Sequence, residues 1–405
     1  MENSKRLHIA QFTNAYLPVI NGVVRSVSTY RKSLTEMGHI VFVFAQEDNQ
    51  YLDEEPFIFR YPSLHLHYPV EIPAVIPMSP FVDRLIPSLK LDVIHTHHPV
   101  LLGQAAAAKA QELDLPLIFT FHTQYREYSH YVPFPQETVQ KFVKEAVSIW
   151  LREFMVKCQH IVVPSQSMLD ILKKDYGLED HYTVIPTGID LRPFIEADGE
   201  LVRAKQGWEN EKILISVGRL APEKNWRTLI EAVALAIRSG AMLRLVILGE
   251  GPERNNLELF SHSLGIADYV EFLGETPFND IPGFLKAADF FGFASTTETQ
   301  GLVTMEALAA GLPVVAVNAS GTRDVVENNG QGFLVDNDPQ ALANAIKQLL
   351  QSHELMKKFK AQALERIQSF EIMTLTKRLI EVYGQAIQDK KENQFVGIHG
   401  LRKEI

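Results

Sequence analysis

Short apolar runs alternate along the chain with longer segments whose apolar positions recur every three or four residues. The short runs suit strands buried on both faces, and the longer pattern suits helices packed over a sheet. In the first half, strands are predicted at Leu7–Thr13, Ile40–Ala45, Phe57–Tyr61, Val93–His97, Leu117–His122 and His160–Pro164. Helices are predicted at Val23–Met37, Val100–Glu112, Glu137–Val156 and Ser167–Tyr176. A last short strand, Tyr182–Ile185, runs into Pro186-Thr187-Gly188, a turn-forming stop. The rhythm then restarts. Strands are predicted at Lys212–Val217, Leu243–Leu248, Tyr269–Leu273, Phe290–Ala294 and Pro313–Val317, separated by helices at Thr228–Arg238, Arg254–Leu264, Val303–Ala310 and Gln340–Leu350.

Strands alternating with helices give an α/β class with parallel sheets. Two comparable sets, divided by a turn-rich stretch near 186–200, predict two doubly wound domains facing each other, with ligand bound at the carboxyl ends of the strands in the cleft between them. The expected domains are 1–190, joined by a returning helix at about 374–390, and 191–373. Residues 62–90 carry six prolines among apolar residues without a clean period. They read as a long loop with a short helix, serving either acceptor or lipid contact or structural packing. The polar stretch from Asp389 to Ile405 is expected to fray.

The chain has 405 residues, with 39 Lys+Arg against 49 Asp+Glu and a formal charge of −10. An acidic balance argues against nucleic acid as the main partner. With 46% hydrophobic and 22% charged residues, disordered and fibrous classes fall away. No apolar run is long enough for a membrane-spanning helix. The start, Met1 to Arg6, runs straight into Leu7–Ala10 and leaves no room for a signal peptide. The single cysteine, Cys158, forms no internal disulfide and reads as helix packing; together these features predict a cytoplasmic protein.

The strongest chemical constellation is Glu298-Thr299-Gln300-Gly301-Leu302-Val303-Thr304-Met305-Glu306. It follows the strand Phe290–Ala294, and a helix begins near Gly301. Unpaired amides and the dipole at a helix start favour an anion, and glycine lets a phosphate approach the backbone. Glu298 and Glu306 lie before and within this helix, and a carboxylate accepts bidentately from vicinal hydroxyls. A second constellation, Gly218-Arg219-Leu220-Ala221-Pro222-Glu223-Lys224-Asn225, follows the strand ending at Val217. There Arg219 and Lys224 can both reach a diphosphate and stabilise its growing charge as a bond breaks; surface salt bridging is the alternative. Leu248-Gly249-Glu250-Gly251-Pro252 repeats the strand–glycine–helix order and alone is weak.

In the first half, Asn21-Gly22-Val23 opens a helix where a glycine loop can close over a phosphate. It is not the dinucleotide fingerprint, which disfavours a dehydrogenase. His95, His97, His98 and His122 cluster near strand ends. Metal binding, hydrogen bonding to a sugar or acceptor, and a structural role all remain open for them. Asp338, before Pro339, reads as a helix cap rather than a metal ligand. No Gly-x-Ser-x-Gly elbow and no Walker loop is present.

Taken together, the Glu298–Glu306 spacing, Gly218-Arg219 and Lys224 resemble the retaining glycosyltransferases of family 4, which have the GT-B fold. The resemblance covers nearly the whole chain. It implies a hexosyltransferase in which Arg219 and Lys224 hold the donor diphosphate, helped by Gly22 and the amides at Gly301, Leu302 and Val303. It further implies that Glu298 holds the donor hexose, Glu306 holds the ribose, and His122 lies beside the transferred sugar. Gln300 lies within the same donor motif, backbone near Gly251 and Gly274 meets the base, and the last helix braces the first domain. The expected co-substrate is a nucleoside diphosphate sugar, UDP-glucose first, without an essential divalent metal.

A narrower likeness carries further. Thr297–Leu302 and the run Phe119 to Tyr128 look like the diacylglycerol glucosyltransferases within that family, which work at the cytoplasmic membrane face. That likeness implies a lipid acceptor, with His97, His98 and Tyr125 on the acceptor side. The segment 137–157 carries Phe142, Trp150, Phe154 and Met155 beside Lys141, Lys144, Arg152 and Lys157. Such a helix can lie on anionic lipid or simply pack. Rival readings are a family 4 enzyme with a soluble or cell-envelope sugar acceptor, a sugar-nucleotide epimerase, a phosphorylase lacking an evident cofactor lysine, and a catalytically silent nucleotide-sugar-binding protein.

Overall fold

A computed structural model describes residues 5–19, 21–48, 51–66, 72–125 and 137–401. Arg126, Glu127 and Tyr128, and the side chain of Phe142, lie outside the described residues. The chain forms two compact units, 1–188 with 372–405, and 189–371.

The strands of the first unit are β1 (His8–Thr13), β2 (Ile40–Gln46), β3 (Ile58–Tyr61), β4 (Ser63–Leu66), β5 (Ile72–Val75), β6 (Val93–Thr96), β7 (Leu117–Thr120), β8 (His160–Val163) and β9 (Tyr182–Val184). Seven of them form a parallel sheet in the order β3-β2-β1-β6-β7-β8-β9. Side chains alternate between the two faces. Ala10, Phe12, Phe42 and Phe44 enter one core with the helices Leu102–Glu112 and Glu137–Met155. Ile9, Val41 and Val43 enter the other core with the helices Gly22–Glu36 and Ile372–Lys391. The strand order reverses between β1 and β6, and the residues just past those two strands therefore flank a crevice.

The second unit contains β10 (Ile213–Val217), β11 (Arg244–Leu248), β12 (Val270–Gly274), β13 (Phe290–Phe293), β14 (Val314–Val317) and β15 (Gly332–Val335). These form a parallel sheet in the order β12-β11-β10-β13-β14-β15, whose reversal falls between β10 and β13. Every residue of β10 is buried, as a central parallel strand requires. Asp338 caps the helix Pro339–Gln351, its carboxylate accepting from the Ala341 amide at 2.8 Å.

Two expectations need correction. The proline-rich stretch is more than a loop with a helix: β4 and β5 pair antiparallel before the helix Pro80–Leu85. A two-stranded ladder tolerates proline because each strand keeps an unpaired edge. Nor does the tail fray at Asp389. The last helix runs to Lys391, Val396 and Ile398 are buried, and the Val396 amide donates to the Cys158 carbonyl at 2.9 Å. Two apolar side chains suffice to dock this otherwise polar segment.

Candidate functional site

In the second unit the geometry converges at the strand-order reversal. Leaving β10, the chain passes Gly218 and the exposed Arg219, whose carbonyl accepts from the buried Trp226 indole at 2.9 Å. It then turns through Pro222–Lys224. Leaving β13, it passes Ser295, which is fully buried; its single hydroxyl proton is shared between the Glu223 carbonyl at 3.3 Å and Glu298 Oε1 at 3.2 Å. Lys224 Nζ forms an ion pair with the same Glu298 oxygen. Two loops far apart in sequence are thereby joined by opposite charges at the mouth of the reversal. Asn225 adds a second clasp, donating to the Ala294 carbonyl at 3.1 Å and to Asn337 Oδ1 at 2.8 Å.

Gly301 precedes the helix Leu302–Ala309 with φ +71, a left-handed conformation that costs side-chain-bearing residues about 1–2 kcal/mol. Among the described residues no side chain caps this helix. The Thr304 and Met305 amides donate to the Gly301 carbonyl, so the amides of Leu302 and Val303 stand ahead of the ladder. The loop after β14 supports this turn from behind: Ser320 Oγ donates to the Glu298 carbonyl at 3.2 Å. Asn225 closes the second constellation without a role of its own, and Ser295 and Ser320 carry none from sequence, since serine and asparagine in loops have no distinguishing spacing.

Gln300 is buried, and Glu306, in the second turn of the helix, is 1% exposed. Arg219 has no ion-pair partner among the described residues, whereas Lys224 is already paired. Gly251 has a packing reason of its own, since a Cβ there stands 2.4 Å from the Leu220 carbonyl oxygen.

In the first unit, the helix after β1 starts at Gly22, with Asn21 Oδ1 accepting from the Val23 and Val24 amides at 3.0 Å each. An anion at this helix start competes with that cap. The four histidines come together at the carboxyl ends of β6 and β7, His95 within β6 and the other three just past the strands. His98 Nδ1 accepts from the Asn14 amide at 3.1 Å, which ties the loop after β1 to the loop after β6 and, in the neutral ring, leaves the proton on Nε2. His97 Nδ1 lies 2.9 Å from His122 Nε2. His95 shares hydrogen bonds with Thr120 Oγ1 at 2.7 Å and with the hydroxyl of Tyr383, on the returning helix, at 2.9 Å.

Burial disfavours charge on all four, lowering His95 and His122 to about 3, His98 to about 4 and His97 well below its usual value. They are therefore neutral near pH 7. Among the described residues no group of histidine, cysteine and carboxylate side chains is placed to hold a metal ion. Tyr125 packs edge-on against Phe121, 5.7 Å between ring centroids.

In the helix Glu137–Met155, Phe154 and Met155 are fully buried in the core and Trp150 packs against it, while Ile149 is exposed; Arg152 bonds the His399 carbonyl. Among the described residues, no helix is long and apolar enough to cross a membrane.

Comparison with known proteins yields concordant matches. Residues 20–192 match the family described as Glycosyltransferase Family 4, and residues 198–366 match Glycosyl transferases group 1. An alpha-monoglucosyldiacylglycerol synthase of Streptococcus pneumoniae is 35% identical over 331 residues, 76% of this chain and 71% of that protein. The enzyme of that name from Acholeplasma laidlawii is 30% identical over 364 residues, 86% and 90% of the two chains. Among solved structures, HepE of Anabaena, in complex with UDP, superposes with a TM-score of 0.75 at 21% identity, covering 93% of this chain and all of that one. That likeness supports the GT-B fold class.

Proposed function

The chain belongs to the family 4 glycosyltransferases, and from that premise we propose that it moves a hexose, glucose first, from a nucleoside diphosphate sugar to the hydroxyl of a lipid such as diacylglycerol, with retention of anomeric configuration. The observation that carries this reading is the convergence of Arg219, Lys224, Glu298 and the Gly301 helix start at the strand-order reversal of the second unit. Such reversals form crevices where open α/β sheets bind ligands. The site offers cations and free-standing amides for a diphosphate, beside carboxylates suited to sugar hydroxyls.

In the proposed reaction, the bond from the hexose anomeric carbon to the diphosphate breaks and the leaving oxygens gain charge. Arg219, Lys224 and the Leu302 and Val303 amides stabilise that charge as it grows. The acceptor oxygen bonds the anomeric carbon on the face the diphosphate leaves, and its proton passes to a diphosphate oxygen. Glu298 orients the hexose while holding Lys224, and Glu306 binds the ribose. His122 hydrogen-bonds the transferred sugar as a neutral imidazole.

The lipid acceptor is supported by the two diacylglycerol-linked relatives, and by Met78 and Phe81, which are 68% and 73% exposed beside the β4–β5 ladder. Incubating the purified protein with UDP-glucose and diacylglycerol vesicles, with soluble sugar acceptors in parallel, tests the reading. A glucolipid and free UDP are expected. Transfer to soluble sugars alone removes the lipid, and UDP release without any glycoside removes transfer.

A further inference from the structure

We infer that His97 is a positioning residue for His122, fixing that ring through an Nδ1···Nε2 hydrogen bond. The inference rests on the proposed role of His122 toward the sugar. Sequence alone gave His97 the same acceptor-side standing as His98. In the structure His97 is 1% exposed, behind His122, with its Nδ1 2.9 Å from His122 Nε2 and the two rings stacked at 5.2 Å.

Parallel pairing produces this arrangement. β6 and β7 align Ile94 with Leu117, His95 with Ile118 and Thr96 with Phe119, so the residues just past both strand ends stand side by side. A second layer braces it from below. His95 is held between Thr120 and Tyr383, and its ring centroid lies 4.4 Å from that of His97.

A neutral imidazole has one donor and one acceptor nitrogen. An N···N hydrogen bond between two such rings therefore couples their tautomers. A proton on His97 Nδ1 places the His122 proton on Nδ1; a proton on His122 Nε2 leaves its Nδ1 as an acceptor. His97 thereby decides what His122 presents to a ligand, as a hydrogen-bonded partner orients other functional histidines. The far nitrogen of His97, Nε2, is buried without a hydrogen-bond partner among the described residues. His97 also lines a small cavity with Ser26, Tyr30, Thr120 and Thr187.

The test uses the full chain labelled with ¹⁵N-histidine, with long-range ¹H–¹⁵N spectra of the imidazoles at pH 7. Wild-type His122 should show one fixed tautomer, and His97→Phe should average it. His97→Asn, whose amide stands in for Nδ1, should keep the fixed pattern and near wild-type turnover. His97→Phe should lower kcat by about tenfold or more, the scale seen when the partner that orients a metal-bound histidine is removed, with the donor KM nearly unchanged. Adding His97→Phe to His122→Ala should then cost nothing further.

Averaged tautomers in wild-type His122, additive losses in the double variant, or His97→Asn as slow as His97→Phe would each overturn the inference. Should His97→Phe fail to fold, the wild-type spectra and His97→Asn decide. Normal turnover in His122→Ala removes the sugar role of His122 alone, and the tautomer spectra still judge His97.

Discussion

At the residue scale, the account rests on charge held still before a ligand arrives. Lys224 is fixed by Glu298, which is itself fixed by Ser295, so the ammonium keeps its place without a donor. Removing a preorganised charge from a site of developing negative charge costs about 10²–10³ in kcat. Arg219→Ala and Lys224→Ala are each expected to lower kcat in that range while the fold survives, since Arg219 is exposed and Lys224 only half-buried. Steady-state kinetics with saturating donor read this; near-normal turnover in either variant contradicts the assignment. Gly301→Ala adds a Cβ at φ +71, 3.2 Å from the Gly321 carbonyl oxygen, in the turn that presents the amides. It should raise the donor KM several-fold with little loss of thermal stability, because the strain of about 1–2 kcal/mol is small against a domain.

At the element scale, the sheets were largely legible from the sequence, and the site's supports were not. Central parallel strands such as β10 and β11 are near-continuous apolar runs, broken only by Ser216 and the leading Arg244, and no helix rule competes with that signal at such lengths. β15 escaped notice because it is short, half-exposed at an edge and framed by the polar, glycine-bearing stretch 328–332. The helices Gly199–Gln206 and His353–Arg366 were missed as well; the second buries only Phe359 and Ala363, too few positions to mark a face.

In the site, Glu298, Gly301 and Lys224 announced themselves by spacing, but their mutual contact did not. Pairing between β10 and β13, whose partners Leu214 and Phe290 are 76 residues apart, is what creates it. The turns after β10 and β11 also pack backbone to backbone. A Cβ at Gly249 lies 2.0 Å from the Gly218 carbonyl oxygen, at a φ of +146. Gly249→Ala should therefore destabilise the second unit by several kcal/mol, through strain and a clash with rigid backbone. Chemical denaturation should show the loss, and wild-type stability in this variant contradicts the packing described.

At the scale of the whole molecule, the two units respond differently to acid. The first holds His95, His98, His122 and His160 with folded pKa values of about 3 to 4, all lowered by burial. Unfolded histidine titrates near 6.5, so below that pH the unfolded chain binds protons that the fold refuses. Stability from these groups is complete above about pH 6.5 and is lost as pH falls toward 4. In the second unit the shifted carboxyls, Glu211 and Asp289, are lowered, and their contribution fades only below the usual carboxylate range. Urea unfolding followed by Trp150 in one unit, and by Trp208 and Trp226 in the other, should separate the two between pH 7.5 and 5. The Trp150 midpoint should fall while the others hold; a parallel fall contradicts the histidine account.

The central claim, transfer from a nucleotide sugar with retention, is tested most directly by ¹H NMR of the first glycoside formed from UDP-α-glucose. An α-anomeric product appearing together with UDP is predicted. A β-anomeric first product, or UDP-glucose left intact with every acceptor offered, would contradict it.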